Sequence, residues 1–187
     1  MQKIYIDQIQ INTERLILRL MQTKDAQRVC TYRNQPEVAQ FQEWTPNSVK
    51  EVEDHVVVMN QTDDIIPECF YQIVMESKVT GTVIGDMAFS IDAEQQSQAE
   101  LGIALDTAYQ KQGYALEATK ALVDWLFQQL KLHRIHVSID PHNQASINLF
   151  TRAGFRQEGL LKQAVFFKGQ WADDLIMAVL REEYQQG

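Results

Sequence analysis

Short segments of the chain alternate between apolar and polar residues with a period of two, which is typical of half-buried β-strands. The segment RLILRLM is the first of these, and the pattern returns several times after residue 67. Turns near Gly81 and Gly169 join two neighbouring pairs into hairpins. Strands are therefore predicted at residues 15–21, 69–76, 83–91, 99–105, 134–139, 155–168 and 171–180.

Other segments repeat apolar residues every three or four positions, which is the spacing of an amphipathic helix. Helices are predicted at residues 25–34, 48–61, 114–130 and 143–153, the last of them ended by a glycine. Residues 1–12 are expected to form a loose arm or an added edge strand. The mixture of helices, hairpins and one strand–helix–strand unit predicts an α+β fold with a mixed sheet.

Composition indicates one globular domain that spans residues 1–187. The chain is 45% hydrophobic and 22% charged, so it carries enough apolar surface to fold. Its net charge of −8 disfavours general nucleic-acid binding, because such binding depends on cationic contacts to phosphate. The negative charge would suit a cationic partner, although solubility alone also explains it.

Two observations concern the cell compartment and metals. Cys30 and Cys69 are far apart and have no CxxC motif or Cys/His cluster around them, so we expect reduced thiols and no metal. No apolar run approaches the roughly 20 residues of a membrane span, and the N-terminus has no secretory signal pattern. A cytoplasmic protein without a membrane segment is expected.

The loop between residues 105 and 114 carries the strongest sign of ligand binding. It follows a strand and leads directly into a helix, whose first N–H groups have no partners within the helix and lie at its positive end. Gly113 permits a positive φ or a close approach of the backbone to a ligand. Such a loop suits the pyrophosphate of a cofactor, although an ordinary strand-to-helix turn would have the same pattern.

The pattern Gln110-x-x-Gly113-x-Ala115 resembles the acetyl-CoA signature of the GNAT N-acetyltransferase superfamily. The segments TERLILR, AELG and AGF, in this order, resemble the branch that contains the ribosomal-protein N-terminal acetyltransferases. The resemblance extends from about Thr13 to Tyr184, and this collinearity is more specific than any single motif.

This resemblance implies a mixed, mostly antiparallel sheet of seven strands, splayed at its middle and flanked by about four helices. Acetyl-CoA would lie in the split, with no metal, and Asn143 would contact its pantetheine arm or a water molecule near it. Asn143 is also expected to cap the helix that follows it. The residues implied to hold the pyrophosphate are Gln110, Lys111, Gln112, Gly113, Tyr114 and Ala115.

Acetyl transfer to an amine needs a neutral amine and a departing thiolate, but no covalent enzyme intermediate. Period-two alternation places Glu100 and Gly102 on one face of the strand before the loop, where a glutamate beside a glycine can face a cleft. The resemblance implies a carboxylate base at this position, commonly acting through a water molecule, so Glu100 is the candidate general base. A solvated or ion-paired Glu100 is the alternative. The resemblance implies that Ser146 lies near the thiolate, while Phe150 occupies the position of the superfamily's usual tyrosine acid. Ser146 could equally be a helix-surface residue, with no acid needed.

The resemblance also places Phe41, Glu43 and Trp44 in the wall of the acceptor site, although Trp44 could instead fill the core beneath that loop. The predicted function is an acetyl-CoA-dependent N-acetyltransferase, with the α-amino group of a protein as the first choice of acceptor. A small cationic amine, such as a polyamine, amino acid or aminoglycoside, is the second choice. A non-catalytic acyl-CoA-binding sensor is the third. A homodimer, through the sheet edge or the last hairpin, is possible.

Overall fold

One mixed sheet of eight strands organises the protein. The computed structural model describes residues 9–61, 64–94 and 97–184. The strands are β1 (Gln10–Asn12), β2 (Leu16–Leu20), β3 (Tyr71–Ser77), β4 (Val83–Ile91), β5 (Gln98–Leu105), β6 (Arg134–Ile139), β7 (Arg156–Phe167) and β8 (Gln170–Leu180). They lie in the order β1-β2-β3-β4-β5-β6-β8-β7, and every neighbouring pair except β5–β6 is antiparallel.

Within the described residues, six α-helices accompany the sheet: α1 (Ala26–Arg33), α2 (Pro36–Ala39), α3 (Val49–Met59), α4 (Tyr114–Gln129), α5 (Gln144–Arg152) and α6 (Arg181–Tyr184). The predicted fold class, the four longer helices and all seven strands are confirmed. The eighth strand, β1, is the added edge strand that was left open, while residues 1–8 lie outside the described residues. The one-turn helices α2 and α6 were not predicted, because four residues are too few to show a helical period. Within the described ranges, no helix has the length and apolar character needed to cross a membrane.

The sheet divides between β5 and β6, as expected. These parallel strands pair only over their first three residues, from Gln98 opposite Arg134 to Glu100 opposite His136. Beyond that point β5 stays paired with β4 as far as Leu105, and β6 stays paired with β8 as far as Ile139. Each strand therefore remains bonded to its own half of the sheet, and a gap opens between their carboxyl ends.

Helices cover both faces of the first half of the sheet. On one face, α1 and α3 pack over β3 and β4, where Tyr32 and Arg33 of α1 bond the carboxylate of Asp86. On the other face, α4 packs through contacts such as that between Trp125 and Phe89, whose ring centres are 6.4 Å apart. The strands β3 and β4 are therefore buried on both faces, and the apolar core lies in two layers, one on each side of them.

Candidate active site

The gap in the sheet brings together the two segments with predicted ligand-binding roles. The strands β5 and β6 are parallel, so their carboxyl ends meet at the same edge of the sheet. From this edge β5 continues into the loop before α4, and β6 continues into the turn before α5. The edge therefore carries the N-termini of two helices, where unpaired amides and helix dipoles favour an anion.

A buried aspartate fixes the start of the loop that leads to α4. Asp106 is 3% exposed, forms an ion pair with Arg28 and accepts a hydrogen bond from Nε2 of Gln35 at 3.0 Å. Its carboxylate also accepts from the amide of Ala108 at 3.1 Å. Burial by itself would raise the pKa of Asp106, but these hydrogen bonds and the charge of Arg28 outweigh it and lower the pKa. Sequence reasoning missed this anchor, because its side-chain partners Arg28 and Gln35 are 78 and 71 positions away in the sequence.

The loop itself has the backbone expected of an anion nest. Lys111 and Gly113 have positive φ values of 60° and 83°, and Gly113 is the N-cap of α4. The backbone amides of residues 111–115 form no hydrogen bond with any other described residue. The side chains of Gln110 and Gln112 turn back to the carbonyls of Leu105 and Ala108, at 3.1 and 2.9 Å. These two side chains therefore stabilise the loop and leave its amides accessible.

Arg15 and Glu117 form a second support for this loop, which sequence reasoning also missed. Arg15 lies 4.1 Å from the ring centre of Tyr114 and donates to the carbonyl of Gln112 at 2.9 Å. Its Nε donates to Glu117 at 2.6 Å, and Thr13 donates to the same carboxylate at 2.5 Å. Burial would raise the pKa of Glu117, but these bonds and the charge of Arg15 hold it below the usual value.

Asn143 caps α5, as predicted. Its Oδ1 accepts a hydrogen bond from the backbone amide of Ser146 at 3.1 Å, so the cap holds both residues in the first turn of the helix. Both are partly exposed at the carboxyl end of β6. Phe150, one turn further on, is 2% exposed and packs edge-on against Phe155 with ring centres 5.1 Å apart. Position 150 therefore belongs to the core.

Glu100 lies at the point where β5 and β6 separate. Its register partners are Ser90 on β4 and His136 on β6. Burial raises the pKa of Glu100 above its usual value, and the negative charges of Glu43 and Asp174 raise it further. A carboxylate with a raised pKa is a stronger proton acceptor near neutral pH than an ordinary one. The structure thus brings together Glu100 and Glu43, which are 57 positions apart in the sequence.

The other two residues predicted for the acceptor wall have different surroundings. The ring of Trp44 lies 4.6 Å from the guanidinium of Arg33 and 4.7 Å from the ring of His55. Its Nε1 donates to Glu51 at 3.3 Å. Trp44 therefore packs beneath its loop, which is the alternative noted from the sequence, while Phe41 is half-buried in the same loop. Their contact with an acceptor stays a prediction.

The turn of the β7–β8 hairpin contacts the end of α2, next to the loop that carries Phe41 and Trp44. Lys168 Nζ donates to the carbonyl of Ala39, at the end of α2, with a distance of 2.6 Å. The hairpin from the second half of the sheet therefore reaches the helical layer of the first half. Phe166 and Trp171, near the same turn, are 64% and 62% exposed and contact each other. Across the described part of the chain, no group of His, Cys, Asp and Glu residues could hold a metal ion.

Comparison with known proteins gives a consistent result. The family described as "Acetyltransferase (GNAT) domain" matches residues 15–156. The N-acetyltransferase p20 of Bacillus licheniformis is 33% identical over 173 residues, which cover 92% of this chain and 96% of that protein. Over 87 residues, which are 46% of its length, the present chain is 30% identical to the spermidine N(1)-acetyltransferase of Escherichia coli. Over the same number of residues it is 31% identical to the ribosomal protein uS5-alanine N-acetyltransferase of Escherichia coli. The matches cover 47% and 45% of those two proteins.

Solved structures share the fold over nearly the whole chain. A GNAT-family acetyltransferase from Bacillus anthracis has a TM-score of 0.81 and 24% identity, covering 93% of this chain and 99% of the other. The spermidine N-acetyltransferase of Vibrio cholerae, solved in complex with CoA and spermine, has a TM-score of 0.79 and 22% identity. That comparison covers 91% of this chain and 98% of the other.

Proposed function

The chain belongs to the GNAT family of N-acetyltransferases, and from this premise we propose that it acetylates the α-amino group of a protein, using acetyl-CoA. Residues 1–187 form a single acetyltransferase domain in this proposal. The observation that carries it is the position of Glu100, a half-buried carboxylate at the point where β5 and β6 separate and the sheet begins to open.

The proposed mechanism assigns the cofactor to the loop before α4. The free amides of residues 111–115 bind the pyrophosphate, aided by the dipole of α4. Asn143 contacts the pantetheine arm at the edge of the gap. An anion held mainly by backbone amides is compatible with a chain whose net charge is −8, because the site does not rely on a basic patch.

The proposed chemistry is a direct transfer. Glu100 removes a proton from the acceptor's ammonium group, directly or through a water molecule, and the neutral nitrogen attacks the thioester carbonyl carbon. The tetrahedral intermediate collapses with cleavage of the C–S bond. The second proton that the nitrogen must lose passes to solvent or, relayed by the hydroxyl of Ser146, to the departing thiolate. An α-amino group has a pKa near 7.7–8.0, so an appreciable neutral fraction already exists at pH 7.

A small cationic amine is the second candidate acceptor. The observation that favours it is the negative charge of Glu43 and Asp174, which acts on Glu100 within the opening. The similarity to both a spermidine and a ribosomal-protein acetyltransferase supports either acceptor. Phe166 and Trp171 are exposed apolar residues that would suit the proposed homodimer through the last hairpin.

A transfer assay distinguishes these candidates. Acetyl-CoA consumption would be measured with peptides that begin with alanine or serine, with spermidine, with free amino acids and with an aminoglycoside. The proposal expects the highest kcat/KM for a peptide, and no product from the same peptide with a blocked N-terminus. Faster acetylation of spermidine would establish the second candidate. Tight binding of acetyl-CoA without transfer to any amine would support the sensor.

Gly113→Val is expected to weaken acetyl-CoA binding at least about tenfold, the effect of losing one or two hydrogen bonds to a charged group. Valine disfavours the φ of 83°, and its Cβ would lie 3.3 Å from Arg15 Nη2. Calorimetric titration measures the affinity. Gly81→Val is the matched control, because Gly81 has a φ of 66° in the β3–β4 turn. Equal affinities of the two variants would remove the loop from the cofactor site.

Ser146→Ala is expected to lower kcat about tenfold or more, with little change in KM, because a group that stabilises the thiolate acts mainly in the transition state. The cap of α5 should survive, since Asn143 bonds the backbone amide of residue 146 and not its hydroxyl. Steady-state kinetics tests this with Thr151→Ala as the control, which removes a hydroxyl from the same helix. An unchanged kcat, in an assay limited by chemistry, would show that the thiolate leaves without this assistance.

A further inference from the structure

Asp174, on β8, is a buried carboxylate with no cationic partner. Its residue is 9% exposed, and its Oδ1 accepts a hydrogen bond from the hydroxyl of Ser138 at 2.6 Å. Across the part of the chain that the structure describes, no Lys, Arg or His forms an ion pair with it. Buried charges are normally paired, because leaving water without a partner is costly.

The other buried aspartates of the described residues follow that rule. Each of the three is at most 5% exposed and bonds an arginine. The pairs are Asp25 with Arg19, Asp86 with Arg33 and Asp106 with Arg28. Asp174 thus differs from the other buried aspartates of the described residues, because no arginine pairs with it. A cation supplied by a bound ligand would provide the missing partner.

The register of the strands places Asp174 across the gap from Glu100. Glu100 on β5 is paired with His136 on β6, and Ser138 lies two residues further along the same face of β6. The hydroxyl of Ser138 bonds Asp174, so the carboxylate of Asp174 lies on this face too. Its negative charge is one of those that raise the pKa of Glu100. The two halves of the sheet therefore each contribute one carboxylate to the opening.

We propose that Asp174 is a specificity-determining residue that holds the acceptor's ammonium group opposite Glu100, from the other half of the divided sheet. This inference rests on the proposed amine acetylation. A primary ammonium has three N–H donors, so it can donate to both carboxylates at once. When Glu100 takes one proton, the N–H bond breaks and an O–H bond forms on Glu100. The neutral amine keeps a hydrogen bond to Asp174, which holds its nitrogen while the lone pair attacks the thioester carbon.

Asp174→Asn tests this role with little change in shape, since its amide oxygen can still accept from Ser138. The expected result is an increase of about tenfold to a hundredfold in the KM of the best amine acceptor, the effect of losing a charged hydrogen bond. The KM of acetyl-CoA should not change. Asp173→Asn is the matched control: Asp173 is the preceding residue, on the opposite face of β8, and pairs with Lys162. An unchanged acceptor KM in folded Asp174→Asn would overturn the proposal.

The pH dependence of kcat/KM provides a second test, because it would not change if Asp174 had only a structural role. The charged or titratable groups that act on Glu100 are Glu43 from its loop and Asp174 from β8, with His136 as its register partner on β6. Removing the negative charge of Asp174 lowers the pKa of Glu100. The acidic limb of kcat/KM should therefore move to lower pH in Asp174→Asn and stay in place in Asp173→Asn. An acidic limb that stays in place in Asp174→Asn would contradict the placement.

Carboxyl-carbon NMR separates failure of this inference from failure of the proposed function. In the wild-type protein, an alanine-initiated peptide should shift the Asp174 resonance, whereas the N-acetylated peptide should not, even if no product forms. Spermidine is the second probe. This measurement needs no variant, so it also answers the question if Asp174→Asn does not fold. If either amine shifted the carboxyl resonance of Glu100 and neither shifted that of Asp174, the inference would be overturned and the proposal of amine acetylation would stand.

Discussion

Glu100→Gln is expected to lower kcat by about 10²–10⁴-fold, the usual contribution of a well-placed general base. Glutamine keeps the size of the side chain but cannot accept the acceptor's proton. The deficit should shrink at high pH, where the free amine is already neutral. Acetyl-CoA affinity should not change, because the loop before α4 lies at the other end of β5. Steady-state kinetics over a pH range measures both quantities. A variant that works at full rate at neutral pH would end the assignment.

The same substitution should make the protein more stable, which separates a catalytic loss from a folding defect. Burial, Glu43 and Asp174 raise the pKa of Glu100 in the folded state. The folded protein therefore binds this proton more tightly than the unfolded chain does. Wild-type stability falls as pH rises through the raised pKa, because the ionised carboxylate is costly in this position. Glu100→Gln should thus raise the free energy of unfolding above that pH, and the gain should disappear near the usual glutamate pKa.

Asp86→Ala is expected to lower the free energy of unfolding by about 3–5 kcal/mol, the range for breaking a buried ion pair. Asp86 is fully buried, and its carboxylate accepts from Nε of Arg33 at 3.0 Å and from the hydroxyl of Tyr32. Its removal leaves a guanidinium that is 4% exposed without a counter-charge. Arg33 also donates to the carbonyl of Trp44 at 3.0 Å, so the loop that carries Trp44 should loosen too. Urea unfolding measures the loss.

A surface ion pair provides the control for Asp86→Ala. Asp54 pairs with Lys50 on the exposed face of α3, and exposed pairs of this kind contribute little to stability. Asp54→Ala should therefore leave the unfolding midpoint almost unchanged. A double variant, Arg33→Met with Asp86→Leu, should recover much of the stability, because it removes both buried charges. If Asp86→Ala were no more destabilising than Asp54→Ala, the buried pair would not hold α1 to the sheet.

Local features of the sequence were sufficient to predict the strands and the longer helices of the fold. The strand predicted at residues 83–91 is β4 and that at 134–139 is β6, with the same limits. These limits follow from a run of apolar and β-branched residues bounded by polar turns. The cap by Asn143 and the left-handed Gly113 depend on the residue's own chemistry and on its immediate neighbours. The division of the sheet was expected from the family resemblance, and not from any residue pattern.

Contacts between distant segments could not be inferred in this way. Arg15 and Glu117 are 102 positions apart, and the sequence offers many other acidic residues with which Arg15 could pair. Trp44 had two plausible environments, and only the packing of Arg33 and His55 around its ring distinguished them. The burial of Phe150 against Phe155 was likewise visible only in the structure. The energy of such contacts depends on distance and solvent exposure, which the order of residues does not specify.

The sequence by itself determined the α+β elements, the loop that is predicted to bind the cofactor and Glu100 as the candidate base, since each depends on a local period or motif. Only the tertiary structure decided that the carboxylates of Glu43 and Asp174 act on Glu100. It also decided that Asp174 has a serine for its partner where the other buried aspartates have an arginine. The physical reason is that a charge's effect depends on which groups and how much water surround it. Those surroundings are assembled here from a loop, β5, β6 and β8, which meet only when the sheet forms.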